Sequence, residues 1–456
     1  MTVAETYAAF VAELDTASIP ETTWHSAKRC LVDWYGGTIA GGVLPPAVHL
    51  EPALVAAGSG GRVRLIPAGS RTDARTAALI NGAASHTVEV DDIYRDGLYH
   101  PGSPVIAAAA ALAEEKGSDG AALLRAIVAG YEVSNRIAKA VNPAHYKYWH
   151  TTATVGFFGA TAAAGSLLGL DAARTAHALT TSVTFAAGLQ QAFRSDAMSK
   201  PLHAGRAAEG GILSALAAEA GVTGVPDMFE GASGFGAAMS TNVDWTAATE
   251  GLGQDFTIDR TTQKAHACCG HTFAANDAAH HIVTTNGLTP DQIDRIAVRT
   301  YQAGLEICGN ADPQTPYEAK FSLPYCVATA ILRGRVGPSA FAPELLRDPE
   351  LRGLMARVEL ALEPDCEAAF PLKRSATVAI TTTDGRSFEQ HRPTRKGDPD
   401  DPLTDDEISG KFQELAAPVL GAGSAEALER SLWRVDDLDN VGALPLEIEQ
   451  PVALQA

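Results

Sequence analysis

The chain has 456 residues, 54 acidic against 35 basic side chains for a formal charge of −19, and is 46% hydrophobic but only 6% aromatic. That apolar share excludes wholesale disorder, and the acidic excess excludes a surface built to meet nucleic-acid phosphate. The length exceeds one ordinary core and predicts two domains.

The N-terminal stretch MTVAETYAAFVAELD has no basic n-region and no long apolar h-region, so no secretory signal is expected. Tyr7, Phe10, Val11 and Leu14 recur with helical period, as do Trp24, Ala27, Leu31 and Trp34, with Gly36-Gly37 lying beyond. The apolar run Val105–Ala113 ends in Glu114-Glu115-Lys116 and predicts a buried helix, and no run is long enough to predict a membrane span. Asp119 is the expected N-cap of a helix over Gly120–Val141. Segments 152–169, 172–190 and 205–220 are rich in Ala, Gly, Thr and Ser, so they should be central helices whose backbones approach closely.

The pattern changes near Asp255. Thr289-Pro290-Asp291 starts a short segment, Arg295–Tyr301 predicts a strand, and Val358, Leu360 and Leu362 alternate, as do Val378 and Ile380. Asp384-Gly385 predicts a hairpin turn, and helices are expected at 269–285 and 317–333. Helical period returns with Ile408, Phe412, Leu415, Leu428 and Leu432. The expectation is a mainly α protein: a large helical domain over 1–264, a smaller α/β domain over 265–395, and C-terminal helices over 396–456 that rejoin the first.

The six cysteines, Cys30, Cys268, Cys269, Cys308, Cys326 and Cys366, show no disulfide framework, which predicts a reducing cytoplasm. Dinucleotide, P-loop, zincin and α/β-hydrolase motifs are absent. His266-Ala-Cys268-Cys269-Gly-His271 carries zinc-type ligands at no standard zinc spacing, so no metal site is assigned.

Four segments concentrate polar residues. NGAASHTVEVDDIYRDGLYHPGSPV, from Asn81 to Val105, carries Asp91, Asp92, Tyr94, Arg95 and His100 on a loop. Paired carboxylates beside a histidine suit acid–base chemistry, while one aspartate can equally cap a helix. His150 opens a small-residue helix in WHTTATVG. Lys200, His203 and Arg206 in SKPLHAGR arrive just before another, which suits an anion. Cys268-Cys269-Gly270-His271-Thr272 stands at a further helix start, with Tyr325 downstream in FSLPY.

These motifs, together with EGASGF at Glu230–Phe235 and ACCGH, resemble the MmgE/PrpD family in order over nearly the whole chain. That family includes 2-methylcitrate dehydratase and cis-aconitate decarboxylase. The resemblance implies a helical body with an α/β lid, a homodimer, an active site between the domains, and no metal or organic cofactor. It implies catalytic roles for Asp91, Asp92, His100, His150, His271 and Tyr325. Lys200 and His203, with Tyr94, Arg95, Arg194 or Arg206, would bind a small polycarboxylate. Where the decarboxylase branch has an aspartate two residues before the pair and a threonine after it, this chain has Glu89 and Ile93. The implied activity is a lyase that eliminates water from a hydroxy di- or tricarboxylate. Alternatives are epimerisation of a dicarboxylate such as iminodisuccinate, or decarboxylation of the cis-aconitate type.

Overall fold

Helix starts follow the local chemistry of the sequence. Asp119 caps Gly120–Val141 by accepting from the Ala122 N–H at 2.7 Å. A Thr2/Glu5 capping box opens Val3–Glu13, whose buried face includes Tyr7 and Val11. The structure is a computed structural model that describes residues 1–55, 60–67, 69–193, 197–370 and 372–447. Among these the protein is mainly α-helical, with nineteen α-helices and one four-stranded sheet beside a two-stranded pairing.

Several helix boundaries differ from expectation. The helix from Glu21 continues through Gly36-Gly37 to Gly42. The two glycines are contact points rather than a stop: an added Cβ would lie 3.3 Å from Leu415 at Gly36 and 3.3 Å from Val90 at Gly37. The segment expected over 172–190 is helical only over Ala172–Val183. The helix expected from 205 begins at Ser199 and runs to Glu219. Pro201 fits there because first-turn N–H groups have no intrahelical partner. Lys200 and His203 therefore stand on the first two turns of a helix, not on a loop before it.

The chain divides into two compact units, Met1–Thr262 with Thr404–Ala456, and Gln263–Leu403. In the first, Ala74–Ser85, Gly102–Lys116, Thr151–Leu168 and Ser199–Glu219 pack on one another. Gly82 and Gly205 let two of these backbones touch, since a Cβ on Gly82 would lie 2.9 Å from the Gly205 Cα. Thr151–Leu168 is the one described helix long and apolar enough to cross a membrane, and 83% of it is buried inside the protein, as a core helix is. Phe158 packs edge to face on both Phe229 and Phe235 in one aromatic cluster of the core. Lys411, on the C-terminal helix Asp405–Leu420, is buried against Asp33 at 2.5 Å and donates to the Val90 carbonyl at 2.7 Å.

The second unit is built on a sheet in the order Val358–Leu362, Ile293–Thr300, Ala376–Thr382, Ser387–Arg392. The first pair is parallel and the others antiparallel, and Asp384-Gly385 turns the expected hairpin. Val298 pairs with Val378 and Ile296 with Ile380, so the alternating residues bury one face. The helical stretch expected over 317–333 is two helices, Pro316–Lys320 and Leu323–Arg333, because Ser322 caps the second through the Tyr325 N–H.

The backbone contact at Gly205 is testable. An added methyl there meets the Leu79 carbonyl. Gly205→Ala should lower unfolding free energy by roughly 1–3 kcal/mol, read from denaturant midpoints. An unchanged midpoint would show that the helices separate without strain.

Candidate active site

The loop after Ala74–Ser85 is organised by hydrogen bonds to two aspartates with different tasks. Asp92 Oδ1 accepts from the Gly102 N–H at 2.9 Å and its Oδ2 from the Tyr131 hydroxyl at 2.6 Å. It thus clamps the start of Gly102–Lys116. Asp91 instead faces imidazoles. Its Oδ2 lies 2.6 Å from His86 Nδ1 and 3.2 Å from His100 Nδ1, and accepts from the Ser103 hydroxyl at 3.1 Å. His100 Nδ1 also reaches the Asp92 carbonyl at 2.8 Å. A carbonyl only accepts, so that nitrogen carries the ring proton.

Three helix N-termini meet at this cluster. His150 is the residue before Thr151–Leu168, and its Nδ1 lies 3.0 Å from His203 Nδ1 on Ser199–Glu219. One of these two nitrogens must donate and the other accept. The His86 ring centroid lies 5.1 Å from that of His100 and 5.6 Å from that of His150. Burial, then the nearby His86, Lys200, His203 and His100, hold His150 well below the usual histidine range. Burial, His86 and Lys200 bring His203 down to about 4. Both rings are therefore neutral bases at pH 7. Lys200 is paired with Glu89; burial opposes its charge, but Glu89's charge and hydrogen bond outweigh it and raise the lysine. Glu89 holds this place with a left-handed backbone, φ 62°, which is costly for a residue with a Cβ.

Other expected site residues lie apart from this group. Tyr94 is buried in the aromatic core with Tyr7 and Tyr99. Burial, with Asp96 beside it, pushes it up to about 12. Arg95 opens the short turn Arg95–Gly97 and is half-buried. Arg206 is exposed and paired with Glu209, which also binds Arg75. Arg194 lies outside the described residues. His86, by contrast, carried no separate signal. Its place five residues before Asp91, at the end of a helix, could have pointed to it.

In the second unit His271 pairs with Tyr301, not Tyr325. The Tyr301 hydroxyl is 2.6 Å from His271 Nδ1. Tyr325 donates to the Ala340 carbonyl at 2.6 Å and stacks on Phe341. Burial, then Arg374 and Arg395, bring His271 down to about 3. The Tyr301 hydroxyl can donate to or accept from Nδ1, so the neutral ring carries its proton on Nε2 in the first case and on Nδ1 in the second. His266 is taken up by Asp277 at 2.9 Å and by the Val336 N–H at 3.1 Å.

A metal could be considered at His86, Asp91 and His100, which each offer a ligand atom within 4.8 Å of the others. Their Nδ1 atoms are hydrogen-bond donors to Asp91, and His100 Nδ1–H also serves a carbonyl. The set fits a proton-handling network better than a coordination shell.

Comparison with known proteins adds the following. Residues 5–248 match the MmgE/PrpD N-terminal domain, and residues 266–437 match the MmgE/PrpD C-terminal domain. The chain is 28% identical over 389 residues to cis-aconitate decarboxylase of Homo sapiens, covering 82% of this chain and 79% of that protein. It is 27% identical to the Mus musculus enzyme, over 82% and 78%. It is 26% identical to a cis-aconitate decarboxylase-like protein of Aspergillus oryzae, over 95% of each.

Asp92 makes stability depend on pH. Burial, opposed by Tyr131 and Gly102 and aided by Asp91 and Asp33, raises it from 3.8 to about 7. Between those values the folded protein keeps a proton that the unfolded chain releases, so stability falls as pH rises. Asp92→Asn should remove that slope. The melting temperature of the variant minus that of wild type should climb from pH 4 to pH 7 and then level. A constant difference would show that Asp92 ionises as an ordinary carboxylate.

Proposed function

The chain belongs to the MmgE/PrpD family, and on that premise we propose that it is a lyase acting beside a carboxylate of a small hydroxy di- or tricarboxylic acid, eliminating water. One observation carries the reading: four imidazoles, Asp91 and the Lys200–Glu89 pair gather at three helix N-termini. Helix N-termini and an ammonium favour an anion. Lys200 has three N–H donors, so it can bind Glu89 and a substrate carboxylate together. Neutral imidazoles are suited to take a proton from carbon next to that carboxylate.

In this reading His150 keeps its proton on Nδ1 and donates to His203, which leaves His150 Nε2 as the base. The imidazolium formed then strengthens its bond to His203. His100 is the acid in its doubly protonated form: Nδ1–H stays on Asp91 and the Asp92 carbonyl, and the Nε2 proton passes to the departing hydroxyl, which leaves as water while the ring becomes neutral. No step runs through a metal. The expected assembly remains a homodimer.

Decarboxylation is the second reading, favoured by the names of the three relatives. The same residues would serve it, with a proton delivered to the carbon that loses CO₂. A panel of hydroxy di- and tricarboxylates together with cis-aconitate separates the two. A new C=C absorbance without CO₂ supports dehydration, and CO₂ release supports decarboxylation. Solvent deuterium entering without either would mean epimerisation.

His150→Ala should reduce kcat by ~10²–10⁴. Lys200→Ala should mainly raise KM. Wild-type turnover in both variants would remove this mechanism. Activity should survive exhaustive chelation, and its loss with recovery on adding zinc would instead favour a metal at His86, Asp91 and His100.

A further inference from the structure

The hairpin of the second unit gathers cations at one end of its sheet. Thr300 pairs with Ala376, and Ala376 with Arg392. Tyr301, Arg374 and Arg395 therefore leave three neighbouring strands at the same end. Gly270, just before the helix Phe273–Asn286, lies against this end. A Cβ built on Gly270 would be 2.6 Å from Arg395 Nη1 and 3.9 Å from Arg374 Nη1, so both guanidiniums come close to one glycine and Arg395 takes the place a side chain would fill.

Arg395 is fully buried, with 0% exposure. Asp398 accepts from its Nε at 3.0 Å and its Nη2 at 2.6 Å, but Nη1 has no partner among the described residues. Arg374 Nε is likewise buried and unpartnered. A buried guanidinium nitrogen without an acceptor is costly, and two together repel. Burial first, then Arg374 and Arg395, hold His271 neutral; Cys269 is brought down to about 7 by its hydrogen bond to Cys308 first and, against its burial, by the His271 backbone N–H, Lys264 and Arg374.

We propose that Arg374, Arg395 and the backbone at Gly270 form a carboxylate-binding site carried wholly by residues 263–403. A planar guanidinium fork matches a carboxylate in two parallel hydrogen bonds. The absent side chain at Gly270 lets the Arg395 guanidinium reach the start of the helix, whose N-terminus favours a negative charge. That the carboxylate belongs to a small di- or tricarboxylate rests on the functional reading above; inorganic phosphate shares the chemistry.

Calorimetric titration of the full chain with propane-1,2,3-tricarboxylate tests this without turnover, since that acid has no hydroxyl to lose. Inorganic phosphate is the second probe. Arg374→Met and Gly270→Ala should each weaken tricarboxylate binding roughly 10–100-fold, with an unchanged far-ultraviolet spectrum, and Arg374→Lys should recover part of the loss. Tighter binding of phosphate than of the tricarboxylate, with the same dependence on Arg374, would overturn the carboxylate assignment. Affinity within twofold of wild type in either of the first two variants would overturn the site. So would a wild type that binds neither probe at millimolar concentration. Arg374-dependent binding in a protein that turns over no polycarboxylate would keep this site and remove the proposed lyase activity.

Discussion

Direct contact between helix backbones is the constraint on which the first unit depends. Ala74–Ser85 and Ser199–Glu219 touch through Gly82 and Gly205, and Gly156 brings Thr151–Leu168 against Pro104 and Ala207. With no side chains to hold them apart, three helices can present their N-termini to one small volume. Each N-terminus leaves N–H groups without intrahelical acceptors. The result brings helix N–H groups beside Lys200 and the four imidazoles in a strongly acidic chain. The scarcity of aromatic residues follows from the same packing, since a ring cannot enter a backbone contact.

Burial then sets the chemistry of the site. Removing imidazoles from water disfavours their charged form, and crowding them together disfavours it further. His150 and His203 are thereby held as bases. The same burial acts in the opposite direction on Asp92, which keeps its proton to near neutrality while it clamps Gly102 and Tyr131. Adjacent aspartates thus differ because one meets imidazoles and the other meets a hydroxyl and a backbone N–H. Lys411 and Asp33 lie behind the loop as a buried pair and hold it at the Val90 carbonyl. Breaking such a pair leaves an uncompensated charge, so the loop is fixed from both sides.

In the second unit the sheet plays the part that helix contact plays in the first. Strand register alone carries Tyr301, Arg374 and Arg395 to one end. Each is separated from the others by dozens of residues or by a hairpin. The Tyr301–His271 bond then orients the ring.

The sequence by itself determined what is local. It fixed the Asp119 cap, the Asp384-Gly385 turn, the alternating strands and the division between helical and mixed segments, because each depends on neighbours a few residues away. It also marked Asp91, His100, His150, Lys200 and His203 as polar residues in apolar surroundings. Only the tertiary structure decided which of these meet. It joined His86 to Asp91, turned Lys200 to Glu89, sent Tyr94 into the aromatic core, and gave His271 to Tyr301 rather than Tyr325. The physical reason is distance along the chain. Periodicity and capping report which way a side chain faces on its own element, whereas partners such as Lys200 and Glu89, 111 residues apart, are set by how helices cross and how strands register.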